Sequence, residues 1–176
     1  MMEHNPIQTM HDEHEVISKT EKIIENLDRY WEISSEKYIK TVTILITFFR
    51  EYADDNHHRK EEEVLFPAIC DHPDFKLREI IDELEQHHED FRDYTKEIEE
   101  ALDEKDYEKS YHELKNYLQD LLDHIAVEND ELFVLAETLL DEEELETIFF
   151  KFKDIDMELG VISKLELEES IENITV

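Results

Sequence analysis

Apolar residues recur along the chain at the three- and four-residue spacing of one helix face, in four long segments. This pattern predicts four helices, over residues 9–29, 34–71, 73–102 and 107–139. We expect Thr9 to begin the first helix and Ser34 or Ser35 to cap the second, because serine and threonine accept backbone hydrogen bonds at helix starts. Pro67 lies in the last turns of the second helix and predicts a kink there, since proline has no N–H to donate.

A fifth helix is predicted after the fourth. Asp141 and Glu144 have the spacing of a capping box at its start, and Gly160 closes it. A short helix after Ser163 is the last element that we expect.

Four long helices with short connections predict an all-α fold, an antiparallel up-down four-helix bundle with an additional C-terminal helix. A chain of 176 residues is long enough for one domain with a substantial core. We therefore assign residues 1–158 to the bundle with its fifth helix, and residues 159–176 to a C-terminal tail.

The composition supports a helical protein, because one glycine and three prolines leave few residues that form turns. With 18 basic and 50 acidic residues, the formal net charge is −32. Such a surface repels nucleic acid and anionic membranes, so we expect neither as a partner. The longest apolar run, residues 41–49, is too short to span a bilayer. The single cysteine, Cys70, and the polar N-terminus predict a cytoplasmic protein.

Ten histidines carry most of the functional information, and the second helix holds two overlapping His-x-x-x-Glu pairs, His57 with Glu61 and His58 with Glu62. Residues four apart share a helix face, so either pair has the spacing of metal ligands. The stripe of residues four apart through His57 and Glu61 is otherwise apolar: Leu45, Phe49, Ala53 and Leu65. The stripe through His58 contains an arginine and an aspartate. We therefore predict that His57 and Glu61 face the core, and that His58 and Glu62 flank it.

The fourth helix repeats this pattern with His124 and Glu128, and in both helices leucine and phenylalanine follow at the same distance. The first and third helices also align, with His14 matched to His88. His88 has apolar neighbours on its face, whereas His87 meets glutamate and aspartate, so we choose His88. The chain is thus built like two diverged helix pairs, each with one lone histidine and one His-x-x-x-Glu.

Two glutamates that face each other in an apolar core repel and take up protons unless a cation lies between them. Four imidazoles and two carboxylates without a thiolate suit iron, manganese or zinc. We therefore predict a dinuclear metal site with bridging carboxylates, as in other bundle proteins. Its six ligands are His14, His57, Glu61, His88, His124 and Glu128. The alternative is structural, since a histidine on an apolar face often only fills a core.

These motifs resemble the hemerythrin-like family of HHE cation-binding domains. The resemblance covers about residues 9–158 and rests on Glu13-His14, HHRKEEEVLFPA, His88 and HIAVENDELF. It is greatest to the four-histidine branch of di-iron proteins, which includes members implicated in repairing iron–sulfur clusters under nitric oxide or oxidative stress. The resemblance implies that the same six residues bind two iron ions with an oxo or hydroxo bridge, manganese and zinc being the alternative metals.

Oxygen-carrying members of this family have a fifth histidine, four residues from the ligand on the third helix. Leu84 and Arg92 stand at the corresponding positions here. His11, one turn before His14, is the candidate for a fifth ligand that the sequence leaves open.

The resemblance implies a non-haem di-iron protein with an open coordination position, acting in sensing, storage or stress response. Its ligand is O2, NO, peroxide or iron itself. A di-iron enzyme that reduces peroxide or NO, or repairs iron–sulfur clusters, is one alternative. A metal-free acidic bundle that binds another protein is the second, and the sequence identifies no protein partner.

Overall fold

The computed structural model describes residues 4–176, and all regular structure in this range is helical. The first bundle helix consists of α1 (Pro6–Ser18) and α2 (Thr20–Asn26). The second consists of α3 (Tyr30–Phe48), the π-helical segments π1 (Phe49–His58) and π2 (Glu61–Leu65), and α4 (Phe66–Asp71). The third is α5 (Arg78–Asp103), and the fourth consists of α6 (Tyr107–Val127), the π-helical π3 (Glu128–Leu132) and α7 (Phe133–Leu139). Two further helices follow, α8 (Glu142–Leu159) and α9 (Val161–Glu172).

Two apolar clusters fill the bundle, one toward each end. The α8-side cluster combines the starts of the first and third bundle helices with the ends of the second and fourth: Ile7, Met10, Ile81, Leu84, Phe66, Ile69, Phe133 and Ala136. The α9-side cluster has the reverse combination: Ile24, Leu27, Ile98, Leu102, Tyr38, Val42, Leu114 and Tyr117. Successive helices therefore run antiparallel, which confirms the predicted all-α up-down bundle.

The first bundle helix begins earlier than predicted. Asn5 caps it, because its side-chain oxygen accepts from the backbone N–H groups of Ile7 at 2.9 Å and Gln8 at 3.3 Å. Pro6 takes the first helical position, where its missing N–H costs nothing. The predicted start at Thr9 is therefore wrong.

The second bundle helix also begins earlier, at Tyr30, but the predicted cap is present inside it. Ser34 is extended (φ −155°, ψ 98°), and its hydroxyl accepts from the backbone N–H of Lys37 at 3.3 Å. The kink predicted at Pro67 stays a prediction; Pro67 lies in the first turn of α4, which follows π2 directly. The third bundle helix begins at Arg78, five residues after the predicted start at Pro73.

The C-terminal region is more regular than the predicted tail. Asp141 and Glu144 form the predicted capping box of α8, and Gly160 ends that helix with a left-handed backbone (φ 95°) that favours glycine. Beyond it lies α9, a helix of 12 residues whose Leu167 and Ile171 are buried in the α9-side cluster. Residues 159–176 are thus not a tail, because this apolar pair packs on the bundle.

No helix within residues 4–176 combines the length and the apolar character that crossing a membrane requires.

Candidate metal centre

A compact group of polar side chains lies in the interior, between residues that belong to the two apolar clusters. It draws on all four bundle helices, and each member is at most 3 % exposed: His14, His57, His58, Glu61, His88, His124 and Glu128. All six ligands predicted from the sequence are therefore brought together, and the structure adds His58.

The seven side chains form two groups that share Glu61. The three-histidine half consists of His58, His88, His124 and Glu61, and the two-histidine half consists of His14, His57, Glu61 and Glu128. Within each half, one nitrogen or oxygen atom from every residue lies within 4.8 Å of the others, which is the spacing of atoms around a single metal ion.

Both glutamates extend between the two halves. Glu61 Oε1 lies 3.6 Å from His57 Nε2, and Glu61 Oε2 lies 3.5 Å from His88 Nε2. Glu128 Oε1 lies 3.0 Å from His124 Nε2, and its Oε2 lies 3.2 Å from His14 Nε2. Each carboxylate therefore directs one oxygen toward a histidine of each half, which is the arrangement of a bridging ligand.

The sequence-based placement of His58 at the edge of the core is wrong. Its side chain is 2 % exposed, and its ring stacks on that of His88 with centroids 3.9 Å apart. The cause is the π-helical backbone of π1, in which N–H groups bond five residues back and neighbours are less separated around the axis. His57 and His58 therefore both face the core, a pair that a single four-residue stripe through one of them does not predict.

Three other residues that the sequence offered as possible ligands, His87, Glu62 and His11, lie outside both halves. His87 is half-buried, and its Nδ1 lies 3.3 Å from His124 Nδ1, outside both halves. Glu62 is also outside them, as predicted, and contacts His88. His11 packs edge-on against Phe133 and belongs to neither half, so the structure does not support it as the fifth histidine.

Each of the five histidines directs Nδ1 toward a polar side chain behind it. His57 Nδ1 donates to Glu13 at 2.9 Å, His88 Nδ1 donates to Glu62 at 2.7 Å, and His14 Nδ1 donates to Asn129 at 2.9 Å. His58 Nδ1 lies 3.5 Å from Asp54, and the contact of His124 is with His87. Such outer contacts fix ring orientation and tautomer, and they are typical of metal-binding histidines.

Burial gives the site strongly perturbed acid–base properties. Burial and electrostatic repulsion from the neighbouring His14 imidazole lower the pKa of His57 to about 3. Burial and the charge of Glu128 raise the pKa of Glu61 well above its ordinary value. Burial alone would raise the pKa of Glu128. The charges of His124 and His14 and their hydrogen bonds to Glu128 have the larger effect, so the pKa of Glu128 is well below its ordinary value.

Seven buried polar atoms of the site have no hydrogen-bond partner, and among residues 4–176 no other buried polar side-chain atom is in this condition. Six of them face the interior of the site, Nε2 of His14 and His57 and both carboxylate oxygens of Glu61 and Glu128, and the seventh is the outer Nδ1 of His58. Buried atoms of this kind are costly unless they are satisfied. Imidazole nitrogens and carboxylate oxygens are donors for a transition-metal ion, so the residues present fit a metal site.

Behind the three-histidine half, Arg92 joins two outer carboxylates. Its guanidinium donates to Asp54 at 2.7 Å and to Glu62 at 2.8 Å. These carboxylates lie beside His58 and His88, respectively. Arg92, at a position where the family resemblance places a fifth histidine, thus supports two of the three histidines in this half.

Behind the two-histidine half lies a buried group that we call the lysine cluster: Glu13, Asn56, Lys60, Asp156 and Lys164. Lys60 is fully buried and donates to Glu13, to Asn56 at 3.0 Å and to Asp156 at 2.7 Å. None of these residues is predicted from the sequence to be a ligand, and Glu13 is noted there only as part of the Glu13-His14 motif. Nothing in the helix periodicity singles out Lys60, and Asp156 and Lys164 lie about a hundred residues further along the chain.

The family model described as "Hemerythrin HHE cation binding domain" matches residues 5–136, which is most of the chain and contains every residue of both halves. No curated protein and no solved structure matches the chain. The predicted likeness to the four-histidine branch stays a prediction, and a fifth buried histidine counts against it. The chain therefore belongs to the hemerythrin HHE cation-binding domain family, and its buried histidine–glutamate site is consistent with this assignment.

Proposed function

We propose that this protein holds a non-haem di-iron centre that binds a small ligand, O2, NO or peroxide, at one open coordination position. The observation that carries the proposal is the placement of Glu61 and Glu128, each with one oxygen toward either half. Two carboxylates that span two histidine sets suit two ions that share both bridges, as in bundle di-iron proteins.

The ligand set favours iron. Five imidazoles and two carboxylates, with no thiolate in either half, match the ligands of redox-active non-haem iron, and they also accept manganese or zinc. The family match adds weight to a metal in general and to iron in particular.

The two halves differ in how many protein ligands they offer. The three-histidine half supplies three imidazole nitrogens and one oxygen from each bridge, whereas the two-histidine half supplies only two nitrogens and the same two oxygens. The two-histidine half would therefore hold its ion with one protein ligand fewer, which would leave a position for a small ligand beside His14 and His57. Ferrous iron bound there would supply electrons for binding or reducing that ligand.

The surrounding residues keep this position small and shield it from water. Phe133 stacks on His14 with ring centroids 5.3 Å apart, and Asn129 accepts from the same histidine. Glu13 accepts from Nδ1 of His57. Because every residue of the two halves is at most 3 % exposed, the site suits a ligand of two atoms or peroxide rather than an organic substrate.

The test starts with protein freed of metal and loaded with Fe²⁺ without oxygen. We expect two iron ions per chain, and saturation at one would exclude the bridged pair. Exposure to O2, NO or peroxide should then change the near-ultraviolet absorption. Recovery of the original spectrum when the ligand is removed indicates a carrier or sensor, whereas repeated consumption of peroxide or NO with an added chemical reductant indicates the enzyme.

The same measurement decides the metal-free alternative. An acidic bundle that only binds another protein would take up no iron stoichiometrically, and its melting temperature would not change with Fe²⁺. The unsatisfied interior atoms of Glu61 and Glu128 favour the metal-binding proposal over this one.

We also propose a reducing compartment such as the cytoplasm, in which Cys70 stays a free thiol.

A further inference from the structure

Helices α8 and α9 lie outside the matched family region, yet each places one charged side chain beside the metal centre. Asp156 comes from α8 and Lys164 from α9. Both reach Glu13, Asn56 or Lys60 in the bundle, so the lysine cluster is completed only when the C-terminal helices pack on it.

The lysine cluster is dense and balanced in charge. Asp156 Oδ1 accepts from Lys60 at 2.7 Å, from Lys164 at 2.8 Å and from Asn56 at 3.1 Å. Glu13 Oε1 accepts from both lysines. Two cations and two carboxylates thus cancel in a buried place, where an unpaired charge is strongly unfavourable.

Glu13 connects this cluster to the metal centre. While its Oε1 binds the two lysines, its Oε2 accepts from His57 Nδ1 at 2.9 Å. This hydrogen bond leaves Nε2 of His57 directed toward Glu61. The position of one carboxylate therefore sets the orientation of one predicted ligand.

We propose that Asp156 and Lys164 make the C-terminal helices a functional part of the metal centre, as positioning residues for His57. Through Glu13 they hold the two-histidine half ready for its ion and its small ligand. The three-histidine half does not use them, because Asp54, Glu62 and Arg92 provide its outer contacts. The inference rests on the proposed two-ion centre and extends it to two helices beyond the family domain.

The test uses the full chain with Lys164→Met, which removes the cation and keeps a side chain of similar length. Stepwise anaerobic Fe²⁺ titration should show the binding of one ion weakened about 10- to 100-fold, the usual effect of losing an outer contact. The other ion should bind as in the wild type. Lys164→Arg should restore most of the lost affinity, because it keeps the positive charge.

The matched control is Glu172→Gln. Lys19 Nζ donates to Glu172 Oε1 at 2.6 Å, so this exposed ion pair also attaches α9 to the first bundle helix, without touching the lysine cluster. We expect both ions to bind normally in the control. Equal weakening in Glu172→Gln and Lys164→Met would show that only the docking of α9 matters, and it would overturn the positioning role.

A double variant tests whether the effect passes through Glu13. Lys164→Met should weaken iron binding much less when Glu13→Gln is already present, because contacting residues are not additive. Full additivity, or equal loss at both ions, would overturn the proposal. Asp156→Asn gives a second single variant with the same expectation if Lys164→Met fails to fold by circular dichroism.

A readout without metal separates this inference from the proposed function. Nitrogen NMR of the metal-free protein should show His57 with its proton on Nδ1 in the wild type, and a mixed or mobile ring in Lys164→Met. An unchanged His57 signal overturns the positioning role. A wild type that binds only one iron instead overturns the proposed function, and the NMR comparison still decides this inference.

Discussion

The two halves of the metal centre contain the same kinds of ligand but are supported in different ways. Behind the three-histidine half, Arg92 joins two carboxylates, Asp54 and Glu62, that lie about two turns apart on the second bundle helix. Behind the two-histidine half, the lysine cluster joins the first and second bundle helices to α8 and α9. One half is therefore supported from within the bundle, and the other depends on helices outside the matched domain.

The halves also differ in their exposure to solvent. The side chain of Arg92 is 27 % exposed, whereas that of Lys60 is fully buried. Exposed ion pairs contribute little and weaken in salt, while breaking a buried pair leaves an uncompensated charge and is strongly destabilising. Similar ligands are thus held by a partly exposed ion-pair network on one side and by a buried one on the other.

The largest expected effect comes from the ligand that the halves share. Glu61→Ala should abolish stoichiometric iron binding at both halves. The substitution removes the one carboxylate that belongs to both halves and leaves Glu128 as the single bridge. Glu62→Ala should retain iron, since among the residues of the two halves Glu62 contacts only His88, and only its outer nitrogen. Iron analysis after desalting checks both variants, and equal retention by the two would contradict the bridging role.

The next effect should be confined to one half. His58→Ala removes a ligand from the three-histidine half only, so we expect one tightly bound iron per chain instead of two. His11→Ala is the matched control and should keep two ions, because His11 lies in neither half. If His58→Ala binds two ions with wild-type affinity, the stacked ring of His58 only fills space.

A smaller effect is expected from Arg92→Met. Losing the guanidinium frees Asp54 and Glu62, so iron in the three-histidine half should bind about 10- to 100-fold more weakly, or about 1.4–2.8 kcal/mol. Calorimetric titration at low and high salt should show the wild type approaching the variant as salt rises, because these ion pairs are partly exposed. Loss in the two-histidine half instead would mean that the two supports are not independent.

The smallest effect concerns the pH dependence of the metal-free protein. Burial and the charge of Glu128 raise the folded-state pKa of Glu61 above its ordinary value of 4.5. The folded chain then binds more protons than the unfolded chain. The resulting stabilisation is complete below pH 4.5 and is lost as the pH rises through the raised pKa, by at most about 1.4 kcal/mol per pH unit.

Urea unfolding of the metal-free wild type and Glu61→Gln from pH 5 to 8 would measure this difference. We expect the free energy of unfolding of Glu61→Gln to increase relative to the wild type as the pH rises. His57, whose low pKa destabilises the folded state in acid, is present in both proteins, so the comparison removes most of its contribution. Parallel curves would mean that Glu61 is not protonated in the folded metal-free chain.

Much of the fold and six of the seven central residues could be predicted from the sequence. Helix periodicity and the repeated His-x-x-x-Glu pattern are local properties, and they placed His57, Glu61, His124 and Glu128 on apolar faces correctly. The choice of His88 over His87 depended on the same periodicity and also agrees with the structure. The start of the first helix was missed because the cap depends on one side chain, Asn5, and similar candidates for a cap lie nearby in the sequence.

The sequence by itself therefore determined an acidic helical bundle with a repeated set of histidine and glutamate ligands. Only the tertiary structure decided that His58 joins them, because the π-helical backbone of the second bundle helix changes which neighbours share a face. It alone also decided that Lys60, Asp156 and Lys164 stand behind His57. Periodicity reports the face of one helix, whereas a buried ion cluster depends on which distant helices pack together, and that is settled by the free energy of the whole fold.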